Sequence, residues 1–373
     1  MSLRLRPLSS RVLGKLGASR SLAQAASRSW VIGPAVETPA LPARVDDADL
    51  AKVTACPSGR SIEHNVALAR GGRTVHLETR AYELRGASIA GGHVFASGFF
   101  MPLGDEPAPW VARTPGHHFD SALLTTTPYG VRYFGHWIVE CLPLAMLAKQ
   151  LGETAVSTIT RPSPNQRGYL ALLDLNEETV EDASFDRLVI VEDLGQNDDK
   201  LARYHAMRAA ARRALSPGHR AGAGVFFMRG ASGERRLLVN EAELAEIAAR
   251  KGLEVIRPQD VPSKRIVEAS LDSPVVVGVE GSQLLNGFPW LEPGGTMLAL
   301  MPPQRFDLIL KGPCDALDVT FSILVGDAPS SGSDASDFHI DPAAFERRLD
   351  EHLAEGIKPA PRFDAVAAAA QPA

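Results

Sequence analysis

Apolar positions along this chain change rhythm along its length. Over residues 61–100 they alternate in short stretches, such as Thr74-Val75-His76-Leu77 and His93-Val94-Phe95-Ala96, broken by glycine pairs at 71–72 and 91–92. Alternation with a period of two, punctuated by glycine, predicts hairpin-forming strands. Over residues 129–151 apolar side chains recur at helical spacing, and Gly152 follows as a stop, which predicts a helix. A strand-like run, Leu188-Val189-Ile190-Val191, and a helix over about 200–215 follow, ended by Ser216-Pro217-Gly218.

The second half alternates more regularly. Gly224-Val225-Phe226-Phe227-Met228 reads as a buried strand. Asn240-Glu241-Ala242-Glu243 then has an N-cap and an acid at N3, opening a helix with Leu244, Ile247 and Ala248 on one face. Strand 253–256, a short helix capped by Ser263, and the β-branched run 274–279 come next, followed by strand 296–300. Strands and helices taking turns in this way predict a doubly wound α/β unit. Beyond residue 327, Ser330-Ser331-Gly332-Ser333 reads as a linker, residues 342–355 as a polar helix, and the alanine- and proline-rich end as a disordered tail. The expected layout is a basic arm and linker over 1–45, an α/β domain over 46–218, a Rossmann-like domain over 219–328, and a linker, helix and tail over 329–373.

Composition narrows the function classes. With 45% hydrophobic and 22% charged residues, the chain is an ordinary globular one. Its net charge of −5 gives no global basic field, so nucleic acid is not an expected partner. Cys56, Cys141 and Cys314 are scattered and form no C-x-x-C pair, which argues against a disulfide framework or a cysteine-rich zinc site. No apolar run is long enough to span a bilayer, so the expected location is cytoplasmic, peripheral to an inner membrane at most. The first 36 residues hold Arg4, Arg6, Arg11, Lys15, Arg20 and Arg28 and no acid. That pattern fits a transit peptide, a basic arm on an anionic membrane, or a plain basic terminus.

Three constellations could carry chemistry. In Gly135-His136-Trp137-Ile138-Val139-Glu140, the histidine and the carboxylate lie one helical turn apart. They would form an oriented general base, half a metal site, or a histidine merely satisfied by its neighbour. Arg229, Arg235 and Arg236 follow a buried strand, where bidentate guanidinium groups could bind phosphate; the alternative is a solvated loop. After strand 275–279, Glu280-Gly281-Ser282 reads as a turn into a helix whose free N–H groups suit a phosphate or ribose, or as a turn that needs glycine for backbone reasons alone. P-loop, G-x-G-x-x-G, G-x-S-x-G and H-E-x-x-H motifs are all missing.

The ordered pieces G-H-W-x-x-E-x-x-P at 135–143, R-x-x-x-x-x-R-R-x-x-x-N-E-x-E-L at 229–244, V-V-V-G-x-x-G-S-x-L-x-N at 275–286 and P-G-G at 293–295 together resemble glycosyltransferase family 61. The resemblance spans about residues 125–305. It implies an inverting glycosyltransferase of the GT-B type, with two Rossmann-like domains facing a cleft. A nucleotide sugar would serve as co-substrate, a glycan or polysaccharide hydroxyl as acceptor, and no metal or other cofactor would take part. Bacterial members are associated with capsular and other surface polysaccharides. By the same similarity, Arg229, Arg235, Arg236, Asn240, Glu280, Gly281, Ser282 and Asn286 would serve the donor diphosphate and nucleotide, and His136 with Glu140 the acceptor side. Many members carry His-Gly-Ala where this chain has Glu280-Gly281-Ser282, and a carboxylate near a diphosphate is repulsive unless an arginine pairs with it. A non-catalytic sugar- or nucleotide-binding scaffold is therefore the alternative. A metal-dependent hydrolase using His136 and Glu140 is a third reading, short of ligands.

Overall fold

The computed structural model describes residues 19–57, 59–104, 106–109, 116–215, 221–231, 236–328 and 337–369. Most of the basic arm, Arg235, the serine-rich linker and the last four residues lie outside them. The chain is a mixed α/β protein that divides into two compact units, one of Met1–Val36 with His76–Met207, the other of Glu37–Val75 with Arg208–Ala373.

The first unit is built on a nine-stranded mixed sheet. Its strands are β1 (Arg28–Gly33), β2 (Thr79–Arg85), β3 (Ser88–Ala90), β4 (His93–Ala96), β5 (Phe99–Met101), β6 (His117–Leu124), β7 (Ala155–Ser157), β8 (Glu178–Thr179) and β9 (Ala183–Glu192). β8, β7, β6 and β9 run parallel in that spatial order. β9 then pairs antiparallel with both β2 and β3. Part of the expected loose lead-in is thus a sheet edge, because β1 pairs antiparallel with β2. The hairpins β3–β4–β5 form where glycine and alternation predict them, with Gly91 and Gly92 at positive φ in the first turn. Residues Ile62–Ala69 form a helix capped by Ser61 instead of a strand.

A buried ion cluster ties the end of β9 to the helix Asp198–Ala214, here α1. Asp193 receives Arg203 Nη1 and Nη2 at 2.9 and 2.7 Å and Thr79 Oγ1 at 2.7 Å, while Lys200 Nζ donates to its carbonyl at 2.8 Å. Burial opposes the Asp193 charge, yet Lys200 and Arg203 outweigh it and hold the carboxyl below its ordinary range.

The second unit contains five parallel strands: β10 (Val225–Phe227), β11 (Glu254–Ile256), β12 (Val275–Val279), β13 (Thr296–Met301) and β14 (Thr320–Val325), in spatial order β11–β10–β12–β13–β14. β12 and β13 are buried throughout, as expected of strands covered on both faces. Helix α2 (Glu241–Arg250) packs its Leu244, Ile247 and Ala248 into this core. Helix α3 (Pro342–Glu355) is amphipathic and not merely polar: Phe345 and Leu349 join the same core, and the Phe345 ring meets Phe226 edge-on at 6.0 Å. The expected disordered tail is partly helical too. Pro361–Ala369 forms a last helix, its first turn held by Asp318, which accepts from the Arg362 and Phe363 N–H groups.

His352 on α3 is buried against Ser322 Oγ at 2.8 Å, and burial with the nearby Arg348 pushes its pKa down to about 4. Glu355 opposes that shift, while Arg44 and Lys358 add to it. In the unfolded chain this imidazole protonates near its ordinary value. Its neutral folded form is therefore favoured above pH 6.5, and that stability is lost as pH falls from about 6.5 towards 4. Between pH 7 and pH 4.5 the wild type should lose about 2 kcal/mol more of its stability to urea unfolding than His352→Gln, which lacks the titration.

Candidate functional site

The predicted helix over 129–151 is interrupted on both sides of His136. Pro128–Arg132 forms one helical turn, capped by Thr127 Oγ1, which accepts from the Gly130 N–H at 3.0 Å. The backbone leaves helical geometry at Tyr133 and resumes it over Phe134–His136, then widens into a π-turn at Trp137–Cys141 before helix α4 (Leu142–Leu151). Pro143 has no N–H for the carbonyl of Val139, four residues back, and the Tyr204 hydroxyl of α1 donates to that carbonyl instead, at 3.4 Å. Arg203 Nη1 reaches the Pro143 carbonyl, also at 3.4 Å. Trp137 is buried beside Phe134 and Tyr169 and anchors the turn from inside.

This turn brings His136 and Glu140 together. His136 Nδ1 lies 2.6 Å from Glu140 Oε1, and Thr127 Oγ1 donates to Glu140 Oε2 at 2.5 Å. A carboxylate accepts only, so Nδ1 carries the proton and the neutral ring leaves Nε2 as a lone-pair acceptor. Nε2 has no hydrogen-bond partner among the described residues. Gly130 is required by packing, because a Cβ there would overlap Cys141 Sγ. Burial pushes the Cys141 thiol up to about 12, so it stays neutral behind the dyad. The group of metal-ligating side chains found among the described residues is His118, Asp120 and Asp186, exposed on β6 and β9; it does not include His136 or Glu140.

The second cluster belongs to the other unit and lies past the carboxyl ends of β10 and β12. Strand order reverses between these two strands, and open parallel sheets leave a ligand crevice there. Arg229 and Arg236 are buried, and both approach Gly281, whose φ is +135°. A Cβ at Gly281 would overlap Arg236 Nη2 and stand 3.0 Å from Arg229 Nη1. Arg229 Nη1 donates to Gln283 Oε1 at 2.8 Å, and Arg236 Nε to the Glu280 carbonyl at 3.0 Å. Glu280 is buried and paired, its Oε2 being 3.6 Å from Arg236 Nη2 and 3.4 Å from Arg305 Nε. Burial raises its pKa; Asp307 adds to the rise, while Arg236 and Arg305 oppose it.

Two expectations need correction. No α-helix begins at Ser282: residues after Gly281 form turns and a 3-10 segment, Leu284–Asn286, so guanidinium groups, and no helix N-terminus, border this turn. Asn240 makes no side-chain cap; its amide brackets the Ile340 backbone on both sides. Asn286 donates to the Ser282 and Gln283 carbonyls at 3.1 Å and so closes the Gly281 turn. Sequence reasoning missed Arg305, Gln283 and Glu241. The Glu241 carboxylate clamps the Arg229 and Gly230 N–H groups at 2.6 and 2.8 Å, which fixes where Arg229 begins its reach. An acid in the first turn after an arginine-bearing loop was the available signal.

Residues 134–298 match the family model described as Glycosyltransferase 61, a little under half of the chain, and they include His136, Glu140, Arg229, Arg236 and Glu280. That stretch is a glycosyltransferase 61 domain. The match is to the family as a whole and carries no capsular-polysaccharide assignment. No curated protein matches the chain. No helix among the described residues is long and apolar enough to cross a membrane.

Proposed function

We propose, from a chain that carries a glycosyltransferase 61 domain, that it is an inverting, metal-independent enzyme. It would transfer a sugar from a nucleotide-sugar donor to a hydroxyl of a glycan. The observation that carries this reading is the buried pair Arg229 and Arg236 around Gly281 at the strand-order reversal. Two guanidinium groups at a crevice suit a diphosphate that gains charge as it leaves. In a GT-B enzyme this parallel-sheet unit serves the donor, and the unit bearing His136 serves the acceptor.

The chemical step follows from the dyad. His136 Nε2 takes the proton of the acceptor hydroxyl while Glu140 stabilises the imidazolium through Nδ1. The acceptor oxygen bonds to the anomeric carbon from the face opposite the diphosphate. The bond from that carbon to the phosphate oxygen breaks with its electron pair going to the leaving group. The scaffold alternative drew on an uncompensated Glu280; its pairing with Arg236 and Arg305 removes that ground. Calorimetry with a series of nucleoside diphosphates should find one that binds, and Arg236→Ala should weaken it by about 10–100-fold. Equal affinity in wild type and variant would sink the donor assignment.

A further inference from the structure

The His136 imidazole is flanked by two tyrosine rings, with centroids 5.2 Å away for Tyr129 and 5.8 Å for Tyr133. Both are large side chains left in water, 55% and 40% exposed, whereas Trp137 and Tyr169, which pair with Phe134, are buried. Neither phenol hydroxyl has a hydrogen-bond partner among the described residues. The rings stand on a rigid segment. Thr127 caps the turn that carries Tyr129, and the Tyr133 N–H bonds the Tyr129 carbonyl. Exposed aromatic surface, two free phenols and an imidazole nitrogen with an open lone pair thus share one spot.

Such a surface has a matching chemistry. A pyranose ring offers a face of C–H groups bordered by hydroxyls. Laying that face on a phenol ring removes apolar surface from water on both sides while the hydroxyls stay at the rim. We infer that Tyr129 and Tyr133 form a stacking wall for a pyranose unit of the acceptor, which presents one hydroxyl to His136 Nε2. This rests on the glycosyltransferase reading and names its acceptor class, a saccharide hydroxyl rather than one on a protein side chain or a lipid. The phenols supply orientation: rings set the plane of the sugar, and their hydroxyls meet its rim.

Saturation-transfer NMR tests the wall without relying on turnover. The probes are cellotriose, xylotriose and chitotriose, each added to the full chain. The wild type should transfer saturation to C–H protons of one sugar face in at least one of the three. The pair Tyr129→Ala with Tyr133→Ala should weaken that binding by about tenfold, and the pair of phenylalanine variants should largely retain it. Both side chains are exposed, and circular dichroism checks that the alanine pair folds. Binding of none of the three probes, or undiminished binding in the alanine pair, overturns the inference. Stacking lost in the alanine pair, with no sugar transfer by the wild type, would keep the wall and remove the catalytic reading. Transfer to glycans with stacking unaffected would do the reverse.

Discussion

His136→Ala should lower sugar transfer by about 10²–10⁴-fold and leave nucleoside diphosphate affinity near the wild-type value. The split follows from the placement of the groups. His136 belongs to one compact unit and the guanidinium pair to the other. The imidazole is fixed at Nδ1 by Glu140, itself held by Thr127, which leaves Nε2 for the proton of the proposed step. Glu140→Gln should lie between the extremes, since an amide can still meet Nδ1 but cannot offset the charge of the imidazolium. Steady-state rates with calorimetry in parallel decide the matter, and unaltered turnover in His136→Ala would remove the residue from the role.

Asp193→Ala destabilises the chain by about 3–5 kcal/mol in urea unfolding. The substitution leaves Lys200 and Arg203, both essentially buried, without the carboxylate they share, and an unpaired interior cation costs more than the pair gains. Burial already lowers the Lys200 pKa against the pull of Asp193, so this lysine would shed its proton more readily in the variant. Arg203 cannot shed its proton and, among the described residues, would keep only Asp199 as a carboxylate partner, whose Oδ2 lies 3.0 Å from its Nη2. The damage reaches further, because α1 also supplies Tyr204 and Arg203 to the Val139 and Pro143 carbonyls around the π-turn. A variant that unfolds like the wild type would mean that water reaches this cluster.

The parallel sheet of the second unit was legible because its strands are continuous apolar runs and its helix α2 has a clean face. The His136–Glu140 contact was legible because four-residue spacing survives even a distorted helix. What escaped was set by partners distant in sequence. Nothing near Pro143 announces that Tyr204 will replace its missing donor, and nothing near Glu280 announces Arg305. The mixed sheet of the first unit was hidden for the same reason: β1 and β2 pair across almost fifty intervening residues. Asn240 and Ser282 misled because local capping chemistry lost to tertiary contacts, an Ile340 backbone in one case and a 3-10 turn in the other.

The π-turn at Trp137–Cys141 separates two angular settings along one rod. Each residue in an ordinary helix advances the direction of its side chain by about 100°. A continuous helix would lock the azimuth of His136 to that of Leu144, Leu147 and Ala148, which are pinned in the interior. The extra residue held in the wide turn offsets the two by one fixed angular step, so His136 faces a direction that a continuous helix anchored by Leu144 and Leu147 would not give it.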